Sequence, residues 1–166
     1  MDADLRTDRL ALLPLPPAAA ALVTDRRDDA AAELGVELSL DWPLRERLAA
    51  VRAQTSITPD QAAWGMWVIV DDEDQLVVGD IGFSGRPSRK RSVEIDYSVV
   101  PSRRGRGYAA EAAAALTAWA LGQPGVEVVV AGCELDNIAS IRTLRRAGFT
   151  KTAQTEIEIR WSRRRT

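Results

Sequence analysis

The sequence contains no histidine and a single cysteine, Cys133, among 166 residues. Without histidine, Ser-His-Asp and Cys-His nucleophilic catalysis are excluded. One cysteine and no histidine also leave too few ligands for a structural zinc site, and no internal disulfide can form. A reducing, cytoplasmic setting is the expectation that follows. No stretch reaches the ~20 apolar residues that a membrane-spanning helix requires, so no membrane partner is expected. The residues before Leu10 are acidic and polar, unlike a secretion signal. The Ala-rich run from Leu10 to Val23 contains Pro14, Pro16 and Pro17, which rules out one continuous helix. An excess of one charge is lacking too. The net charge is −2, which gives no global attraction to nucleic acid.

What is present fits one globular domain, taken as residues 1–166. Arg9 to Leu13 reads as a strand, and Pro16 onward opens a helical region with Ala18 to Val23. A helix is expected from Asp41 to Gln54, with Asp41 as its N-cap and Pro43 in its first turn. Trp64–Val70, Leu76–Phe83 and Ser92–Val100 read as an antiparallel meander, with turns at Asp71–Gln75 and Gly85–Ser92. On the third strand Val93, Ile95, Tyr97 and Val99 share one face, and Glu94, Asp96 and Ser98 share the other. Ala109, Ala112, Ala113, Leu116 and Ala120 recur at helical spacing up to Gly122. Val126 to Ala131 is a continuous apolar run, as in a strand buried on both faces. Ile138, Ile141 and Leu144 mark a last helix ending at Gly148. Two closing strands are expected at Thr150–Thr155 and Glu156–Trp161. The fold class is therefore mixed α+β around one sheet.

The segment Val99-Val100-Pro101-Ser102-Arg103-Arg104-Gly105-Arg106-Gly107-Tyr108 carries the most chemistry. A strand ends, a Gly/Arg loop follows and a helix opens. Glycines let the backbone approach a ligand closely. The unpaired N–H groups and dipole of the helix start favour an anion, so pyrophosphate is the natural guest. Arg103, Arg104 and Arg106 add positive charge. The loop lacks the Gly-Lys-Ser/Thr ending of a Walker loop and the three spaced glycines of a dinucleotide fingerprint.

This loop resembles the acyl-CoA loop of the GNAT acetyltransferase superfamily, whose pattern is Arg/Gln-x-x-Gly-x-Gly/Ala. Here it stands as Arg104-Gly105-Arg106-Gly107-Tyr108-Ala109. The opening TDRLALLPL resembles the first strand of the branch that includes ribosomal-protein N-terminal acetyltransferases. GDIGF, VEIDYSVVP and LDNIASIRTLRRAGF follow in family order. The likeness covers most of Leu5 to Thr155 and is thinnest between Ala18 and Gln61. It implies a three-layer fold whose central, mostly antiparallel sheet has one splayed parallel strand pair and helices on both faces. It implies acetyl-CoA as cosubstrate, without a metal. The backbone from Tyr97 through Val99 and Val100 would pair with the thioester arm, amides from Arg104 to Ala109 would bind pyrophosphate, and Asn137 would bond the pantetheine. The amine acceptor would be a protein N-terminus or a small molecule, and a homodimer through the C-terminal strands would fit.

A substrate ammonium must lose a proton before attacking a thioester, because a lysine amine titrates near ~10.4 and an α-amine near ~8. Glu94 is the first candidate base and Asp96 the second. Strand alternation alone also predicts an exposed polar face there. Asn137 or Asp136 alternatively caps the last helix, and Arg142, Arg145 and Arg146 read first as a solvated helix face and second as a contact to the cofactor's 3′-phosphate. Many members of the resembling family carry a tyrosine general acid seven residues after the asparagine. Leu144 stands there instead, and the resemblance to the ribosomal-protein branch implies Ser140 as a substitute proton donor; the other reading of Ser140 is a plain helix residue. Cys133 reads as a small core thiol, and Trp42 as packing rather than a substrate platform. Two other readings stay open: a coenzyme A-binding domain without catalysis, and a nucleic-acid-binding module built on the arginines.

Overall fold

The computed structural model describes residues 4–166. The first three residues, part of the acidic start and of the domain expected over 1–166, lie outside the described residues. The chain opens with β1 (Leu5–Arg6), β2 (Leu10–Pro14), α1 (Pro17–Leu22), α2 (Arg27–Leu34), β3 (Glu37–Leu38) and α3 (Leu48–Gln54). The meander follows as β4 (Met66–Asp71), β5 (Leu76–Phe83) and β6 (Ser92–Val99). The second half is α4 (Tyr108–Gly122), β7 (Val128–Glu134), α5 (Ile138–Arg146), β8 (Thr150–Gln154) and β9 (Glu158–Arg164). The strands form one sheet in the order β1-β2-β4-β5-β6-β7-β9-β8, and β3 pairs β5. Adjacent strands are antiparallel except β6–β7 and the two-residue β3–β5 pair.

The expected mixed α+β fold is present, and its departures have local causes. The helix expected from Asp41 begins only at Leu48. Pro43 keeps Trp42 out of helical conformation, Leu44 is extended, and Arg45–Arg47 form a 3-10 turn. The polar helix α2 has no apolar stripe and so gave no periodic signal in the sequence. Its signals were Asp28 and Asp29 in the first turn, and Gly35 at φ 72° after the last. The last strand starts at Glu158 rather than Glu156, because the Thr155 hydroxyl accepts from the amides of Ile157 and Glu158 and forms a turn.

The run expected to be buried on both faces runs from Val128 to Glu134 and alternates instead. Val129, Ala131 and Cys133 are buried, whereas Gly132 and Glu134 are exposed. Gly132 and Glu134 of its outer face line a cleft.

The core lies between the sheet and the helices. Leu10, Leu12, Trp67, Ile69, Ile81, Leu116 and Leu144 are fully buried. Trp119 of α4 packs at 5.0 Å from Trp64, 5.4 Å from Trp67 and 6.0 Å from Phe83, fixing α4 on the sheet by tilted aromatic contacts. Gly79 permits the close approach of β5 to β6, since a Cβ there would collide with the Ser98 carbonyl oxygen.

Candidate active site

The sheet opens at the parallel junction of β6 and β7, which pair at Ser92–Val128, Val93–Val129 and Glu94–Val130. Beyond Glu94, β6 continues to Val99 on β5, while β7 continues to Glu134 on β9. The two strands therefore diverge and leave unpaired backbone edges facing a gap. At this end lies a cleft of ≈ 590 Å³, walled by Tyr97 and Val99, by the loop from Arg103 to Gly107, and by Asn137, Ser140, Arg142 and Arg146 on the α5 side.

The loop turns through Pro101–Arg103. Gly105 at φ 77° and Gly107 at φ 80° then turn the chain into α4, which no side chain among the described residues caps. The first-turn amides are thus left open toward the cleft. Arg103 does not contribute its charge to the loop mouth as expected. It pairs with Asp74 at 2.6 Å and Asp71 at 3.2 Å. Tyr108 donates to the same Asp71 carboxylate at 2.5 Å. Burial opposes ionisation of Asp71, but these partners hold its carboxyl below the usual range. Arg104 Nε donates to the Val99 carbonyl at 2.8 Å. Arg9, which has no local signal in the sequence, and Arg146 stand beside the loop instead. A Cβ on Gly107 would lie 3.5 Å from an Arg9 nitrogen and 3.6 Å from an Arg146 nitrogen. Arg9 also donates to the Arg106 carbonyl at 2.8 Å and pairs with Glu111 at 2.7 Å.

Asn137, rather than Asp136, caps α5, its Oδ1 accepting from the Ser140 amide at 3.0 Å. It also lines the cleft. Of the three arginines on α5, Arg142 and Arg146 line the cleft, and Arg145 stacks over Trp161 at 5.9 Å. Ser140 Oγ lies 2.7 Å from the Tyr97 hydroxyl. Burial is the main cause that pushes the Tyr97 phenol up to about 12, against the Ser140 hydrogen bond. Leu144 is fully buried.

Glu94, Asp96 and Ser98 project from the opposite face of β6, and all three are engaged. Arg160 Nη1 donates to Glu94 Oε1 at 3.0 Å and to Glu158 Oε1 at 3.1 Å. Glycine at position 132 makes room for this, since a Cβ there would collide with the Glu158 and Arg160 side chains. Asp96 takes two hydrogen bonds from Arg47, at 2.8 and 3.1 Å. The same guanidinium reaches Asp80, which also accepts from the Trp42 indole at 3.0 Å and from Ser98 at 3.3 Å. Burial works against the Arg47 charge, but its two carboxylates hold its pKa above the ordinary value. Trp42 is thus a buried packing residue with a hydrogen-bonded indole. Cys133 is buried, and its Sγ accepts from Trp161 Nε1 at 3.3 Å. Asp80 was legible as a charge inside an apolar strand, whereas Arg47 and Arg160 had no local signal.

The family of acetyltransferase (GNAT) domains matches residues 9–150. The chain belongs to the GNAT acetyltransferase family. Over 150 residues it is 34% identical to YjdG, an uncharacterized N-acetyltransferase of Bacillus subtilis, covering 87% of this chain and 88% of that one. In fold it is similar to a GNAT-family acetyltransferase of Bacillus anthracis, with TM-score 0.69, 15% identity and 98% of each chain covered. It is likewise similar to RimL, a ribosomal-protein alpha-N-acetyltransferase in complex with coenzyme A, with TM-score 0.68, 17% identity and 97% of each chain covered. As a GNAT acetyltransferase, it carries the expected splayed sheet. No helix among the described residues is long and apolar enough to cross a membrane.

Proposed function

We propose that this acetyltransferase moves the acetyl group of acetyl-CoA to a primary amine by direct attack within a ternary complex. The observation that carries the reading is the uncapped start of α4 at Gly107, opening into the cleft beside the β6–β7 divergence. The fit is chemical. Open helix amides and the nearby Arg146 suit a pyrophosphate, Gly105 and Gly107 keep side chains out of its path, and the β6 edge at Tyr97, past the last residue paired with β7, suits an amide-containing arm. When bound, acetyl-CoA supplies the thioester carbonyl that an amine attacks. Amides from Arg104 to Ala109 hold the diphosphate, and Asn137 holds the pantetheine with whatever capacity its cap leaves. A metal has no part in this reading.

Glu94 accepts the amine's proton, and Asp96 is the second choice. Arg47 engages both oxygens of Asp96, whereas Arg160 engages only Oε1 of Glu94 among the described residues. Glu94 thus keeps an oxygen for the proton. Ser140, which lines the cleft beside Tyr97, would give a proton to the departing sulfur. The acceptor is a protein N-terminal amine, as the name of RimL states for that protein, or a small-molecule amine. The acidic rim of Glu134, Asp136, Glu156 and Glu158 around the outer cleft suits a cation. β8 lies at the sheet edge with all five side chains exposed, and a homodimer would pair there. A cytoplasmic site of action suits acetyl-CoA chemistry and the free Cys133.

The test is turnover of acetyl-CoA with a panel of peptide α-amines, lysine amines and polyamines. Amine-dependent release of free thiol supports the reading. Tight binding without turnover leaves a coenzyme A-binding domain.

A further inference from the structure

Glu94 and Asp96 lie two residues apart on one face of β6, roughly 6.5 Å along the strand. Asp96 is in register with Gly82 of β5, and Gly82 with Met66 of β4, so this row carries the Glu94 face across the sheet. All three line a second pocket, of ≈ 300 Å³, that shares no lining residue with the cleft at the start of α4. Ala50, Ala53 and Ile57 wall it on one side, and Trp64, Met66 and Phe83 on the other. Trp64 is held against Phe83 with ring centroids 5.1 Å apart. Glycine at position 82 keeps the row flat, since a Cβ there would collide with the Gly65 carbonyl oxygen.

Three polar side chains of this pocket are already engaged. Gln54 Nε2 donates to the Leu15 carbonyl at 2.9 Å, and its Oε1 accepts from the Met66 amide at 3.1 Å. Arg47 and Asp96 bond to one another at 2.8 and 3.1 Å. That leaves Ser84, which is exposed. A polar group entering the pocket would lose water without gaining a partner, so the pocket favours an apolar guest. It joins the reaction site at two points. The Ser84 amide donates to the Glu94 carbonyl at 3.0 Å. The turn that carries Arg47 also carries Leu44 and Glu46, which line the cleft at the start of α4.

Resting on the acetyl-transfer reading with Glu94 at the reaction centre, we propose that this pocket selects the acceptor: a primary amine carrying a compact aliphatic or aromatic group roughly 6–7 Å from its nitrogen. The nitrogen stands at Glu94 and the apolar group fills the space between α3 and the Met66–Gly82–Asp96 row. Two sources share this chemistry. One is a peptide N-terminus with an apolar second residue, and the other is a small alkyl or arylalkyl amine. A polyamine, charged at both ends, gains nothing from such a pocket.

The experiment measures kcat/KM at saturating acetyl-CoA for two acceptor series. The first is dipeptide amides with alanine first and alanine, leucine, phenylalanine, aspartate or lysine second. The second is ethylamine, 3-methylbutylamine, 2-phenylethylamine and 1,4-diaminobutane. Wild type is compared with Ala50→Trp, whose indole would occupy the pocket. In at least one series wild type should favour the apolar members over the charged ones by about 10-fold or more. In Ala50→Trp that preference should fall to about twofold or less, with kcat/KM for the smallest acceptor and calorimetric affinity for acetyl-CoA changed by under about twofold. A preference confined to the peptides supports the proposal and assigns a protein N-terminus, and one confined to the amines supports it and assigns a small molecule. Transfer without preference, preference for the charged members, or a preference that survives Ala50→Trp overturns the proposal while acetyl transfer stands. Wild type that binds acetyl-CoA but acetylates no amine overturns the transfer reading and this proposal with it. Should Ala50→Trp fail to fold, Ala53→Trp on the same wall decides between these outcomes.

Discussion

Arg47 Nε sits 2.7 Å from the carboxylate of Asp80, a side chain with no exposure to solvent. The guanidinium, itself 13% exposed, turns its remaining nitrogens to Asp96 at the surface. One arginine from a short 3-10 turn thereby fastens the helical region between β2 and β4 to the face of β5 and β6 that carries Glu94. Removing one member of a buried pair leaves an uncompensated charge, a cost of about 3–5 kcal/mol. Arg47→Met should therefore lower unfolding free energy in urea by about that much. Asp96→Asn, at the exposed end, should cost under about 1 kcal/mol. Equal losses would contradict this division.

Thr7, Arg9 and Glu111 latch the first strands to α4. Glu111 accepts from the Thr7 hydroxyl at 2.6 Å and from the Arg9 backbone at 3.0 Å. Burial raises its pKa, yet these partners outweigh it and hold the carboxyl below its usual value. A depressed folded pKa gives stability that is full above the unfolded value, near ~4.3, and is lost as pH falls through the folded one. Glu111→Gln should thus lower thermal stability at pH 7, and the gap to wild type should close below about pH 4. A gap of constant size down to strongly acidic pH would show that charge is not the cause.

Glu94→Gln should reduce kcat by about 100-fold or more with acetyl-CoA affinity unchanged, and should remove the acidic limb of the pH–rate profile. An intact limb would transfer the base role elsewhere.

The meander, the Gly/Arg loop and α5 were legible because each depends on local pattern. Alternation set the faces of β6, and the glycines set the loop. Long-range partners were not legible. Nothing near Arg103 announces that it folds back on Asp74, nothing near Glu94 announces Arg160, and Tyr97 read only as strand backbone until α5 brought Ser140 beside its hydroxyl. Trp42 read correctly as packing, although its bond to Asp80 lies 38 positions away along the chain. The region between Ala18 and Gln61 was the least legible, because its helices are short and Pro43 delays α3 until Leu48.

Binding of the acetyl-CoA diphosphate at the start of α4 is the claim on which the rest depends. Gly107 adopts φ 80° with guanidinium nitrogens of Arg9 and Arg146 about one van der Waals contact from where a Cβ would stand. A side chain there is strained by roughly 1–2 kcal/mol and projects into the space the phosphates need. Calorimetric titration of acetyl-CoA into wild type and into Gly107→Trp is the most direct measurement. The account predicts saturable one-to-one binding by wild type and none by a Gly107→Trp protein that still unfolds cooperatively. Equal binding by both, or no binding by folded wild type, would contradict it.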